Sequence, residues 1–299
     1  MASDSPKPRP HSRRRRFWRF ALWTGGLLGV GAFVLLHIGA AHMAKYDDPA
    51  RLNGNVHTLE TNGFALRWIE RRNTSATADV VFIHGSPGGA GVWATQFADP
   101  VSNANYFAYN RPGFGASTPT LSQPHLQMQV AALMQLIAAA DVHRPILVGH
   151  SYGGPIALLA AVQHPDKVRG ALLIGGDVDP AEEKPWLVQY LLGWRLTAWL
   201  LPQPLRQSNR EMLTARADLL ELQKQLPNLQ VPVAMLHGVK DPLVPVANVG
   251  WLAEELSSAG KTNLFTSMVY SNYNHFIPWE EPEAVQAAIR SLLEPGRQP

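Results

Sequence analysis

The chain has 299 residues, 46% of them hydrophobic, which excludes a mainly disordered protein. It contains no cysteine, so a disulfide framework, a thiolate zinc site and a cysteine nucleophile are excluded as well. The net charge of +3 is unevenly spread: residues 1–20 hold seven Lys and Arg against Asp4, a net of +6, which leaves −3 on residues 21–299, so the basicity belongs to a tail and no nucleic-acid partner is expected for the body.

In chain order, residues 1–20 read as a basic, Pro-containing, disordered tail. Ala21 to Ala41 is apolar with five glycines and His37 as its one ionisable group. As a helix it reaches ~31 Å, enough to cross a bilayer core, and a transmembrane helix or signal anchor is expected over 21–44. Arg13–Arg16 lie just before it, and Trp18 and Trp23 stand at interfacial positions. The N-terminus is therefore expected in the cytoplasm and the body on the exported side. The alternative is secretion after cleavage: Gly39-Ala40-Ala41 offers small residues, and Arg-Arg-Arg-Phe-Trp loosely resembles a twin-arginine signal. The apolar stretch is longer than the ~7–15 residues usual in such signals.

Residues 45–54 read as a stalk. Asn55–Glu60 and Phe64–Glu70 alternate apolar and polar residues about Asn62-Gly63, a hairpin signal. Further strands are expected at Asp79–His84, Tyr106–Tyr109, Pro145–Val148, Ala171–Ile174, Pro232–Leu236 and Phe265–Tyr270. Helices are expected at 89–98, Ser122–Ala140, Pro155–Val162 and Glu283–Leu293. This alternation predicts an α/β fold with a mostly parallel central sheet and helices on both faces. Residues 55–176 and 231–295 form its two parts. Between them, residues 177–230 lack a strand signal and hold Trp186, Trp194, Trp199 and many leucines. They read as a helical cap that lines a substrate pocket, being too long for one crossover.

The chemistry centres on Gly149-His150-Ser151-Tyr152-Gly153, set between an apolar strand and a helix. This is a nucleophile elbow: glycines permit close approach around a serine raised at the carboxyl edge of the sheet. Ser151 then needs a base and an orienting acid, in the order Ser, acid, His. His275 is the one histidine beyond the last strand. His150 adjoins the serine and is expected to point elsewhere. Asp241, just past Pro232–Leu236, is the first choice of acid, with Asp177 or Asp179 as rivals. Backbone N–H groups of Tyr152 and of Ser86 are the expected oxyanion donors, since Pro87 has none.

These motifs resemble the α/β-hydrolase fold superfamily over residues 55–295: His-Gly-Ser-Pro-Gly-Gly at 84–89, Asn-Arg-Pro-Gly-Phe-Gly-Ala-Ser at 110–117, Gly-His-Ser-Tyr-Gly-Gly at 149–154, Lys-Asp-Pro-Leu-Val-Pro about Asp241 and Asn-His-Phe at 274–276. The resemblance implies the same roles for Ser151, Asp241, His275, Ser86 and Tyr152, a structural Arg111, and no cofactor or metal. Serine rather than Asp at the elbow points to acyl transfer on a small to medium apolar ester. An amide-cleaving activity like that of proline iminopeptidases, with Glu182 and Glu183 holding an amine, is one alternative. C–C bond hydrolysis and a silent, membrane-anchored binding module are the others.

Overall fold

A computed structural model describes residues 11–46, 48, 52–60, 65–119 and 124–294. Its sheet has eight strands: β1 (Asn55–Glu60), β2 (Ala65–Arg71), β3 (Ala78–Ile83), β4 (Ala104–Tyr109), β5 (Ile146–His150), β6 (Gly170–Ile174), β7 (Val233–Gly238) and β8 (Phe265–Tyr270). Their spatial order is β1-β2-β4-β3-β5-β6-β7-β8. β1 and β2 pair antiparallel, β2 meets β4 antiparallel, and every pairing from β4 to β8 is parallel. The central strands β5, β6 and β7 are buried along their whole length, which is why they read as unbroken apolar runs. The edge strand β8 has no buried residue, with Thr266 and Ser267 both exposed, and shows the weaker, half-polar pattern of a rim.

The helices are α1 (His11–Tyr46), α2 (Ala94–Ala98), α3 (Leu126–Ala139), α4 (Gly153–Gln163), α5 (Leu187–Gly193), α6 (Gln203–Gln225), α7 (Ala247–Ser258), α8 (Ile277–Glu280) and α9 (Pro282–Leu293). Alternate strand residues feed two separate cores. Val81, Leu147, Leu173 and Met235 pack with α3, α4, α6 and α7. Val80, Phe82, Val148, Leu172 and Leu236 pack with Phe97 of α2 and Val285 and Ile289 of α9. Residues 177–230 carry helices and no strand, joining β6 to β7. Their long helix α6 sends Ala215, Leu219 and Leu222 into the first core, so the insertion is built into the body rather than laid over it.

Two expectations change here. The N-terminal helix starts at His11, so the arginine run expected in a disordered tail is helical. Arginine is a good helix former and no Gly or Pro interrupts His11–Thr24. The segment long and apolar enough to cross a membrane is Trp23–His42. His37 sits inside it with Nδ1–H donated to the carbonyl of Phe33, 2.8 Å away, which satisfies that nitrogen within the helix. Second, α7 had no counterpart in the sequence reading, although two parallel neighbours such as β7 and β8 require a crossover. Val249, Leu252 and Leu256, at helical spacing, are its buried face. Residues 1–10, part of the expected stalk and the Asn62-Gly63 turn lie outside the described residues.

Because Leu219 is 1% exposed and packs against the sheet-side core, Leu219→Ala is expected to destabilise the whole protein by ~2–5 kcal/mol in one cooperative urea transition. A separate early transition of the insertion would show instead that it unfolds by itself.

Candidate active site

The elbow forms because β5 runs into α4 with no room for side chains at the turn. A Cβ on Gly149 would lie 2.1 Å from the carbonyl oxygen of Gly153, and one on Gly153 would lie 2.2 Å from that of Ile83. Between them Ser151 takes φ +53°, a left-handed conformation that costs a non-glycine residue ~1–3 kcal/mol. Its backbone N–H donates to the carbonyl of Ile174 at the end of β6 (2.9 Å), and its carbonyl accepts from Gly154 at the start of α4 (2.8 Å). The strained serine is thus fixed from two sides.

His275 lies in the loop between β8 and α8, and its Nδ1–H donates to Asp241 Oδ2 at 2.7 Å. The other carboxylate oxygen of Asp241 accepts the backbone N–H groups of Leu243 and Val244, both at 2.8 Å. Burial by itself would raise the Asp241 carboxyl. The hydrogen bond from His275 and those from the backbone outweigh it and hold the group below its ordinary range, ionised. The rival acids are placed otherwise. Asp179 is tied into its own turn, accepting from Ala181 N–H at 2.8 Å. Asp177 is raised well above its ordinary value, by burial first and then by Glu183, Asp179 and Glu182. Glu182 and Glu183 belong to that acidic cluster.

His150 does not point away from the site. Its ring lies 4.7 Å from the ring of His275, and its Nε2–H donates to the His275 backbone carbonyl at 2.9 Å. Burial lowers it to about 3, with the neighbouring His275 as a second cause. His237 is also buried, donates Nε2–H to Val244 at 3.0 Å, and has its pKa lowered by burial. His84, on the loop after β3, accepts the Arg111 N–H at Nε2 (3.0 Å) and donates Nδ1–H to Gly85 (2.8 Å). Its pKa too is driven well down by burial and by Arg111. His150 and His237, both neutral, thus stand beside the His275–Asp241 pair. The sequence signal for His150 was its place beside the serine; its role as a prop for the His275 loop depends on a contact 125 residues away.

The loop Gly85–Gly88 borders Ser151 closely, since a Cβ on Gly85 would lie 2.9 Å from Ser151 Cβ. It is held by Arg111, which is fully buried. The guanidinium donates to the carbonyls of His84 (3.0 Å) and Gly85 (2.9 Å) and in a bidentate fork to Glu211 of α6 (2.8 and 3.1 Å). The Ser86 hydroxyl donates to the same carboxylate at 2.6 Å. Tyr152, the residue after the elbow serine, precedes the first turn of α4 and stacks its ring beside Arg111, 5.3 Å from the guanidinium carbon. Glu211 escaped the sequence reading because nothing local marks one glutamate on a polar helix as buried.

The cleft above Ser151 has a volume of about 600 Å³. Ser86, Pro87, Val92, His150, Ser151, Leu243, His275, Phe276 and Trp279 line it with Gly85, Gly88, Gly91 and Ala94. None of these residues is acidic. None comes from residues 177–230, so the expected lining by cap tryptophans is not observed: Trp186, Trp194 and Trp199 are 60–76% exposed.

Two outcomes follow from this arrangement. Glu211→Ala strands a buried guanidinium and should cost ~3–5 kcal/mol, read as a fall in the urea midpoint, with Glu211→Gln retaining part of the loss. An unchanged midpoint for the alanine variant would refute the pairing. The unfolded chain takes up histidine protons below about pH 6.5, whereas folded His150 does so only near 3. Stability should therefore fall by a few kcal/mol as pH drops from 6.5 toward 3. His150→Gln should flatten that acid limb in urea unfolding at pH 7 and pH 5.

Residues 80–210 match a family model described as the alpha/beta hydrolase fold. The chain is 26% identical over 241 residues to the uncharacterized protein YqjL of Bacillus subtilis, an alignment covering 78% of this chain and 89% of YqjL. Among solved structures, a bacterial membrane phospholipase A superposes with a TM-score of 0.61 at 23% identity, covering 92% of this chain and 97% of its own. The enol-lactonase of Burkholderia xenovorans does so with a TM-score of 0.62 at 16% identity, covering 79% and 99%. With the parallel sheet, the elbow and the loop order on this scaffold, the chain has the α/β-hydrolase fold.

Proposed function

We propose that the protein is a membrane-anchored serine hydrolase that cleaves carboxylic ester bonds of small to medium apolar acyl substrates through an acyl-enzyme on Ser151. The observation that carries this is the strained Ser151 in a cleft it shares with His275, whose far nitrogen is bonded to an ionised Asp241 at 2.7 Å. With Nδ1 committed to Asp241, Nε2 of His275 is left to accept a proton. His275 takes the Ser151 hydroxyl proton as the serine oxygen attacks the ester carbonyl. Backbone N–H groups of Ser86 and Tyr152 receive the developing oxyanion, the latter at the positive end of α4. The tetrahedral intermediate expels the alcohol, which leaves with the proton from His275. Water, deprotonated by the same histidine, then releases the acid and restores Ser151. Asp241 stays ionised throughout and holds the ring.

The cleft walls favour an apolar acyl group: Pro87, Val92, Leu243, Phe276 and Trp279 surround the serine. Binding of a free amine, as amide cleavage of the iminopeptidase kind requires, would need a carboxylate there, and the lining supplies none. A membrane phospholipase A and an enol-lactonase share this fold, which supports ester chemistry as the reading. Uncleaved anchorage, with the N-terminus cytoplasmic and the body exported, is supported by a helix that runs unbroken past Gly39-Ala40-Ala41 to Tyr46 and by arginines at its start.

Ser151→Ala should lower hydrolysis of p-nitrophenyl butyrate by about 10³-fold or more and abolish labelling by a fluorophosphonate. Asp241→Asn should lower the rate by ~10³–10⁴-fold with the fold intact. Undiminished labelling of the alanine variant would remove Ser151 from its role. A wild-type protein inert to every serine-directed probe would instead favour a binding module.

A further inference from the structure

The insertion turns its large apolar side chains outward. Trp186, Leu187, Val188, Tyr190 and Leu191 of α5 and its approach are 50–76% exposed, as are Trp194, Leu196 and Trp199 in the turn that follows. No residue of α5 is buried. From Pro185 to Pro202 the one charged residue is Arg195. Packing of the domain does not account for this face, because α5 is held to α6 from behind: Asn209 of α6 donates to the Gln189 carbonyl at 2.9 Å, and Gly193 abuts Leu213. A soluble surface does not carry eight exposed large apolar side chains within fourteen residues.

The same chain states what covers it. The membrane-length segment of α1 runs alongside this region, with the Phe33 ring 6.1 Å from the Trp199 ring. A second apolar cavity of about 480 Å³ lies between Ala32, Leu35 and Leu36 of α1 and Pro87, Pro204 and Leu205 of the body. Pro87 also lines the Ser151 cleft. The patch is therefore continuous with the segment that enters lipid, and the cleft opens beside it. Tryptophans, tyrosine and leucines with a single arginine are the composition of a surface that sinks its apolar face below the headgroups into the acyl-chain boundary.

We propose that the outward face of Trp186–Trp199 docks on the bilayer that α1 spans. It forms a second, monotopic membrane contact that sets the Ser151 cleft against the lipid surface and lets apolar esters reach it from the membrane past Pro87. The substrate route rests on the hydrolase reading of Ser151; the membrane contact rests on the insertion and α1 alone.

Because the chain has no cysteine, single reporters can be placed in the full-length protein. Leu187→Cys and Trp194→Cys, and Ser257→Cys on the exposed side of α7 as reference, would be labelled with bimane and reconstituted in phosphatidylethanolamine–phosphatidylglycerol vesicles. Positions 187 and 194 should lose quenching by aqueous iodide and gain quenching by lipids brominated in the acyl chain, with position 257 behaving oppositely. Iodide quenching at 187 and 194 equal to that at 257 would overturn the proposal. So would protection from both quenchers, since α1 or a second copy would then cover the patch. In parallel, Leu187→Glu with Leu191→Glu should reduce hydrolysis of an ester dissolved in the vesicles by about tenfold or more, leaving water-soluble p-nitrophenyl butyrate unaffected. Equal rates on the vesicle ester in the variant and the wild type would overturn the substrate route. Membrane-buried reporters in a protein that hydrolyses neither ester would uphold the contact and defeat the reading of Ser151.

Discussion

A buried guanidinium holds the working end of the molecule together. Arg111 has no exposed surface, yet its charge is met by Glu211 and its remaining donors by two backbone carbonyls of the loop beside Ser151. Two charges out of water are tolerable only when nearly every polar atom is satisfied, and here the satisfaction comes from three separate parts of the chain. The loop after β3, the segment after β4 and the insertion helix α6 cannot shift independently without exposing an unpaired charge to an apolar interior. The Ser86 hydroxyl shares the same carboxylate, so the loop proposed to bind the oxyanion is positioned by a residue from the insertion.

Around this frame the titratable groups are sorted by environment. His84, His150 and His237 are driven neutral by burial, while His275 and Asp241 share a short hydrogen bond and the carboxyl stays ionised. Of the four, His275 is the one hydrogen-bonded to the carboxylate, at 2.7 Å, while His237 stands 3.7 Å from the same oxygen with its Nε2–H given to Val244. Asp177, on the neighbouring strand end, is pushed the opposite way, by burial first and then by its own acidic neighbours. Of the three candidate acids, Asp241 is the one that meets His275.

The insertion does two jobs with its two faces. Its inner face, through Leu219, Leu222 and Glu211, completes the core and braces the site. Its outer face, rich in tryptophan and leucine, leaves the cleft to Phe276, Trp279, Leu243 and the loop after β3. Apolar composition in the sequence signalled that something apolar would be met there; which side it faced was a matter of how α5 sits on α6.

The sequence by itself determined the strand order, the elbow, and the segment long enough to span a membrane. Each of these is written in local periodicity and in glycines at a turn where a Cβ would collide with backbone. It also singled out Ser151, Asp241 and His275 as candidates, because chain order on a parallel sheet brings successive strand ends to one edge. Helix α7 and the start of α1 at His11 were missed for want of a strong apolar stripe or a stop signal. Only the tertiary structure decided that Asp241 rather than Asp177 or Asp179 meets His275, that His150 props the His275 loop, that Glu211 closes on Arg111, and that the insertion's tryptophans face outward. All four are contacts between residues distant in the chain, fixed by packing, and burial of a polar group is a property of its neighbours rather than of its own residue type.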